Sequence, residues 1–382
     1  MISDKYNVRE KNESMILKAI IDNSSISRAD LAKNTNLNKA SVSSITKSLI
    51  EKNLVIETGI GDASSAGGRK PVLLEFYPYN GALLSIDVGT NYIRGIMTYL
   101  DGKEISWYEQ ENITISKMNV INIIRQVINK LIYNKTIEIK GLTVGVHGVV
   151  KDNNIRFTPY YELTNFNLFE QLSQTFPFPI YIENEANLVA LSAYCFGLKA
   201  ENLIALSVHS GIGAGIVVDG ILQKGIHGEA GEIGHSILYP NGIDCPCGNK
   251  GCFEQYASTI ALFDHINKDN SLNVNSMEQL TQEYSNGNIK IIDYLHENAF
   301  LMSIGINNLS NILNPETIVI NSSVYNKIPE LVDVIKDNLD GQFSKNIKLQ
   351  TSELQEKSIV MGGIALASQH YLRINKLKFY LR

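Results

Sequence analysis

Glu229-Ala230-Gly231-Glu232-Ile233-Gly234-His235, followed by Cys245-Pro246-Cys247-Gly248-Asn249-Lys250-Gly251-Cys252-Phe253-Glu254, is the stretch on which the reading of this chain turns. Three of the chain's four cysteines fall within eight residues there. One imidazole (His235) and three thiolates (Cys245, Cys247, Cys252) make a closed tetrahedral zinc site, which orders a loop and leaves no open position for a catalytic water. The carboxylates of Glu232 and Glu254 are not needed by such a metal. They are free to accept hydrogen bonds, and the hydroxyls of a sugar are the obvious donors.

Outward from that loop, composition sets the bounds. A chain of 382 residues is long enough for two or three domains with real cores. No apolar run is long enough to cross a bilayer, and the N-terminus lacks the apolar segment of a signal or transit peptide, so a cytoplasmic protein with no membrane partner is expected. Clustered cysteines without a secretory signal indicate metal ligands in a reducing compartment rather than disulfides. Cys195, in an apolar helical pattern with Leu188 and Leu191, is expected to be a buried core thiol. The net charge is −5, yet residues 1–80 carry +2 and the remainder −7, which confines any nucleic-acid contact to the N-terminus.

The first 80 residues predict a winged helix-turn-helix. A helix is expected over Val8–Asn23. Ser27-Arg28-Ala29-Asp30 then has the capping-box pattern that starts a second, short helix. After a polar turn, Val42, Ile45 and Leu49 at helical spacing define a third helix. Its other face carries Lys39, Ser41, Ser43, Ser44 and Lys47; small serines permit close approach to a major groove, and lysines meet phosphates. Leu54–Thr58 and Val72–Phe76 read as strands around a tip over Gly59–Gly68. Arg28, Arg69 and Lys70 complete the expected DNA-contacting set, although Arg69 and Lys70 read equally as a plain interdomain turn.

From residue 81 onward the pattern becomes α/β. Leu83–Thr90 is a buried strand ending in a turn, Ile93–Leu100 returns, residues 119–134 look helical, and Gly141–Gly148 is another strand and turn. Strands recur at Ile180–Ile182, Ile204–Val208, Ala214–Val218 and Thr317–Ile320. Two similar halves of this kind predict a bilobal fold with a cleft between the lobes.

On these residues the chain resembles the ROK family of repressors and sugar kinases. The likeness covers all of it: a winged helix-turn-helix over 1–80, then a bilobal actin-like, ribonuclease H-like sugar-kinase domain over 81–382 with its zinc loop at about 235–252. The glycine-rich signature is matched by Gly225 to His235 and the zinc motif by Cys245-x-Cys247-Gly-x-x-Gly-Cys252. Within the family the pattern is most similar to the xylose repressors, through Ile86–Ile93, Gly145-Val146-His147-Gly148 and Ile182–Asn187.

The resemblance implies a sugar held by Asn184, Glu185, Glu232, His235 and Glu254, with His235 giving one ring nitrogen to zinc and the other N–H to a sugar oxygen. Family kinases carry Asn-Asp where this chain has Asn184-Glu185, and the longer side chain displaces a would-be catalytic base. Their phosphate loop, Asp-x-Gly-Gly-Thr-Lys, is here Asp87-Val88-Gly89-Thr90-Asn91, short of a glycine and the lysine. Their second loop is His209-Ser210-Gly211, and an adenosine-side glycine pair is replaced by Asn321-Ser322-Ser323. No ATP and no catalysis are therefore expected. The implied protein is a non-enzymatic repressor of a sugar-utilisation operon, homodimeric on a palindromic operator and released by a small sugar, D-xylose above others. An ATP-dependent kinase that retains a DNA-binding head is the alternative. Residues 295–313 and the C-terminal helix are the candidate dimer surfaces.

Overall fold

A computed structural model describes residues 2–60 and 70–379. Its first three helices, α1 (Ile2–Asp22), α2 (Arg28–Thr35) and α3 (Lys39–Glu51), pack with β1 (Ile26–Ser27), β2 (Val55–Ile60) and β3 (Val72–Phe76). The strands form an antiparallel sheet ordered β1-β3-β2, the arrangement of a winged helix-turn-helix. Apolar spacing dictates the packing: Ile16, Ile20, Leu31, Val42, Leu49 and Leu74 are fully buried. The first helix starts at Ile2, earlier than its apolar face suggested. Ser27 caps α2 by accepting from the Asp30 amide at 3.1 Å, but Asp30 reaches back to the Ser27 hydroxyl (2.7 Å) instead of the backbone. Asn38 caps α3 through the Ser41 amide at 2.8 Å.

Two lobes follow. The first contains β4 (Ala82–Val88), β5 (Tyr92–Tyr99), β6 (Glu104–Glu111), α4 (Val120–Ile132), β7 (Ile139–Val146), a hairpin of β8 (Val149–Lys151) and β9 (Asn154–Phe157), α5 (Leu168–Thr175) and β10 (Ile180–Asn184). The second is built on β11 (Leu203–Val208), β12 (Ile212–Val218), β13 (Ile221–Gln223), β14 (Thr317–Asn321) and β15 (Lys348–Thr351). Sheet orders β10-β7-β4-β5-β6 and β13-β12-β11-β14-β15 are the same topology twice, an antiparallel meander whose first strand is extended by two parallel strands. This is the duplicated ribonuclease H-like architecture of the sugar-kinase fold.

Between the sheets lie α6 (Glu185–Ser192), buried along its whole length, and the C-terminal helix Ser358–Leu372. They touch backbone to backbone because residue 362 is glycine; a Cβ there would sit 1.8 Å from the Leu188 carbonyl oxygen. The C-terminal helix is almost wholly buried, so it is an interior strut and not a dimer surface, contrary to the sequence expectation. Residues 295–313 belong to the helix Ile289–Leu313, which exposes Phe300 and Ile312.

Past Ser192 the helix α6 widens into a π-helical turn, Ala193–Gly197, that buries Cys195. Phe379 stacks between Phe196 of this turn and Phe76 of β3, with ring centroids 6.0 Å apart on each side, and its amide donates to the Cys195 carbonyl at 2.7 Å. One continuous apolar cluster thus runs from the helix-turn-helix core to α6.

Candidate functional site

The N-terminus of α6 opens the site. Asn184 accepts from the Asn187 amide at 3.0 Å as the helix cap, while its Nδ2 donates to the Gly148 carbonyl (2.8 Å) and to Glu185 Oε2 (2.9 Å). Gly148 must be glycine: its φ is +156°, and a Cβ would lie 2.1 Å from the Phe157 carbonyl oxygen. Below the cap, the buried carboxylate of Glu183 accepts from the Asn184 amide and from Asn187 Nδ2, both at 3.0 Å, and pairs with Lys224.

The signature loop is pinned to β12 by the Ala214 amide, which donates to the Gly231 carbonyl at 2.8 Å. A single 3-10 turn, Ile233–His235, follows Glu232. His235, Cys245, Cys247 and Cys252 bring their ligand atoms within 4.8 Å of one another. The Cys247–Cys252 sulfurs are 3.6 Å apart, as are Cys245 Sγ and His235 Nδ1. A tetrahedron with Zn–S bonds of about 2.3 Å has edges of about 3.8 Å, so these four residues fit a zinc ion. The imidazole turns Nδ1 to the thiols and leaves Nε2 on the side of Glu232, 3.7 Å away.

Between the lobes, Asn184, Glu185, Glu232, His235 and Glu254 line one cleft, together with His147, Tyr160, His209, Gly211 and Gly213. All five side chains expected to hold a sugar converge there. Two glycines form the cleft floor beneath the carboxylates: a Cβ on Gly211 would push on Glu254 Oε2 at 2.6 Å, and the Gly213 position lies 3.5 Å from Glu185 Oε1. Burial, reinforced by the charges of Glu185, Glu254 and Glu229, pushes the Glu232 carboxyl up to about 7. Burial likewise raises Glu185 against the opposing pull of His147. Crowded, desolvated carboxylates of this kind gain most from hydroxyl donors.

Sequence reasoning missed the cluster that closes one end of the cleft. Tyr92 folds its ring onto Gly89 and donates its hydroxyl to Asp87 Oδ2 at 3.0 Å; His147 Nε2 lies 3.1 Å from Asp87 Oδ1. His209 reaches across to Asn321 Nδ2 at 3.4 Å and meets His147 edge to face. Tyr92 and His209 thus set side chains against neighbouring groups at the two loops, Asp87–Asn91 and His209–Gly211, where the sequence lacks the kinase glycines and lysine. The signal was the concentration of Tyr92, His147 and His209 at those loops. Burial alone would lower His147, but its hydrogen bond and charge pairing with Asp87 outweigh burial and raise it.

His209 is shifted the other way, down to about 4, by burial and then by the charge of His147. Its folded value lies below its unfolded one, so the stability it contributes is present above pH 6.5 and is lost as pH falls toward 4. Thermal melts between pH 7.5 and 5 should therefore fall more steeply for the native protein than for His209→Gln, by a slope approaching one proton. Parallel curves would show that this imidazole protonates freely in the fold.

In the helix-turn-helix, Lys39, Ser43, Ser44 and Lys47 are exposed on α3, and Ser41 is half-buried. Arg28 is differently placed: its Nε donates to Thr46 Oγ1 (3.2 Å) and its Nη2 to Glu57 (2.7 Å), so it braces α3 and β2. Lys70 is exposed, whereas Arg69 and the wing tip over residues 61–68 lie outside the described residues.

Residues 83–370 match the ROK family and residues 9–56 the winged helix-turn-helix DNA-binding family. The chain belongs to the ROK family. It is 33% identical to the xylose repressor of Bacillus spizizenii over 98% of this chain and all of that protein. Among solved structures it is similar to a ROK family transcriptional regulator described as a homologue of the E. coli MLC protein, with a TM-score of 0.82, 25% identity, and coverage of 97% of this chain and 98% of that one. A ROK glucokinase from Streptomyces griseus, solved with glucose and AMPPNP, shares the fold at a TM-score of 0.69 and 22% identity, over 76% of this chain and all of that one. Among the described residues no helix is long and apolar enough to cross a membrane.

Proposed function

We propose that this protein is a sugar-responsive transcriptional repressor, with D-xylose as its effector and no catalytic activity. The observation that carries the reading is one chain that joins a helix-turn-helix to a cleft lined by Asn184, Glu185, Glu232, His235 and Glu254 and bounded by His147 and His209. The full-length likeness to xylose repressors supports the choice of sugar. Asn184, Glu185, Glu232, His235 and Glu254 hold the sugar; zinc on His235, Cys245, Cys247 and Cys252 fixes the loop that presents three of them. A cytoplasmic homodimer places one α3 in each half-site of a palindromic operator, roughly 34–36 Å apart or a multiple of that spacing. Lys39, Ser41, Ser43, Ser44, Lys47, Arg69 and Lys70 serve that contact, and Arg28 supports it from behind.

Sugar bridging the lobes acts at the N-terminus of α6. From there the π-helical turn, Phe196, Phe379 and Phe76 lead to the sheet of the DNA-binding head. The sugar need only prefer the lobe arrangement that misplaces the heads, a coupling of about 1–3 kcal/mol. Fluorescence anisotropy on a palindrome from the protein's own upstream DNA tests the reading, titrated with D-xylose, D-glucose and N-acetylglucosamine. Release by xylose without ATP is the expected result. Release by another sugar keeps the mechanism and changes the effector; DNA binding indifferent to every sugar sinks the proposal.

A further inference from the structure

The cavity lined by Asn184, Glu185, Glu232, His235 and Glu254 measures about 50 Å³, room for a few waters. Small-molecule sites commonly offer about 300–1,000 Å³. A sugar therefore enters only if the lobes part or a side chain withdraws. The side chain that spans the gap beside Glu254 is Tyr160.

Tyr160 stands on a turn between β9 and α5 that the first lobe holds firmly. Thr158 Oγ1 donates to the Tyr161 carbonyl at 2.7 Å and accepts from the Leu163 amide at 3.2 Å, and the Thr158 amide donates to Thr164 Oγ1 at 3.0 Å. The buried Tyr161 donates its hydroxyl to the Val88 carbonyl at 3.0 Å and accepts from the His147 amide at 2.8 Å. Buried polar contacts of this kind are expensive to lose, so the turn moves with the first lobe.

On the second lobe, Tyr160 lies against the Gly211 turn. A Cβ on Gly211 would meet the Tyr160 hydroxyl at 2.9 Å and Glu254 Oε2 at 2.6 Å, so the two oxygens converge on one spot. There the phenol donates a hydrogen bond to the Glu254 carboxylate. Burial, then the charge of Glu254, push the Tyr160 pKa up and keep the proton on the phenol. Glu254 Oε2 also lies 3.4 Å from the Ile212 amide, which matches its second lone pair. Oε1 is turned to the metal-ligand cluster, 3.4 Å from Cys245 Sγ and 3.5 Å from His235 Nδ1. A hydroxyl that donates to Oε2 must displace the phenol.

We propose that Tyr160 is the latch between the lobes: a positioning residue of the first lobe whose hydroxyl holds Glu254 of the second, and which yields that oxygen to a hydroxyl of the incoming sugar. The inference rests on the reading of the cleft as a sugar site. Exchange of one donor for another at Glu254 leaves the carboxylate satisfied and frees one lobe from the other. Occupancy of the cleft is thereby converted into a change of lobe arrangement.

The test is calorimetric titration of the full-length protein and its Tyr160→Phe variant with D-xylose, D-glucose and N-acetylglucosamine. Phenylalanine keeps the ring and removes the donor, so Glu254 loses a partner only in the sugar-free form. Affinity for whichever sugar the native protein binds should rise on the order of tenfold, as expected for one hydrogen bond to a charged group. Half-release from operator DNA, followed by anisotropy, should move to correspondingly lower sugar concentration. A merely structural role lowers the melting temperature and leaves affinity unchanged, which overturns the latch. A fall in affinity overturns it too, because the phenol then binds the sugar instead of competing with it. Native protein that binds none of the three sugars removes the cleft reading itself. If Tyr160→Phe folds poorly, Tyr160→Leu deletes the same hydroxyl and should show the same gain; unchanged or weaker binding there counts equally against the latch.

Discussion

Cys247→Ser is expected to abolish stoichiometric zinc binding and, with it, most of the affinity for sugar. Three thiolates and an imidazole form a closed set, and loss of one leaves a three-coordinate site that holds the ion far more weakly. The consequence reaches the cleft because His235 turns Nδ1 toward Cys245, 3.6 Å away, and keeps Nε2 on the ligand side. Without the metal neither the ring orientation nor the tautomer is fixed, and outer-shell losses of this type cost about 10–100-fold in affinity. Glu254 shares the fate, since its Oε1 lies 3.5 Å from the same ring nitrogen. Metal content by atomic emission, paired with a calorimetric sugar titration, checks both halves. Sugar affinity unchanged in a zinc-free variant would falsify the coupling.

Asn184→Ala should leave operator binding intact and make it insensitive to sugar. One side chain caps α6, ties β10 to the Gly148 turn and orients Glu185, besides facing the cleft. Loss of the cap alone costs about 1–2 kcal/mol. Removing the bonds that align Glu185 adds a sugar-binding defect expected to exceed about 100-fold, because the Gly148 carbonyl and the Glu185 carboxylate both lose a partner in a desolvated site. Anisotropy on operator DNA should then report tight binding at sugar concentrations that fully release the native protein. Normal release would mean that the α6 terminus is not where the ligand is read.

What the sequence disclosed follows from how local each signal is. The four candidate zinc ligands and the carboxylates beside them lie within one short stretch, and motif spacing alone could place them. The helix-turn-helix was legible because its core residues recur at helical spacing and its caps, Ser27 and Asn38, are local hydrogen bonds. Topology was readable only as two similar halves; the identical strand order of the two sheets depends on pairings between β4 and β7, or β11 and β14, far apart in sequence. The replaced loops could be read one by one, but that Tyr92, His147 and His209 meet as one cluster could not, since Asp87 and His147 pair across 60 positions. Arg28 shows the opposite limit. Its place on the second helix suggested DNA, but its bonds to Thr46 and Glu57 depend on residues 18 and 29 positions away and could not be read locally.

The stack of Phe76, Phe379 and Phe196 carries a consequence for synthesis. A ribosome adding about 5–20 residues per second makes Phe76 roughly 15–60 s before Phe379. The helix-turn-helix, whose core is local, can fold early in that interval, held by the Pro78–Leu100 hydrogen bond and the Tyr79–Tyr99 contact before its third aromatic partner exists. Until Phe379 arrives, the nascent reader of DNA lacks the aromatic rivet that joins its sheet to the turn after α6, so this strand of its obedience is fastened well after the reader itself is made.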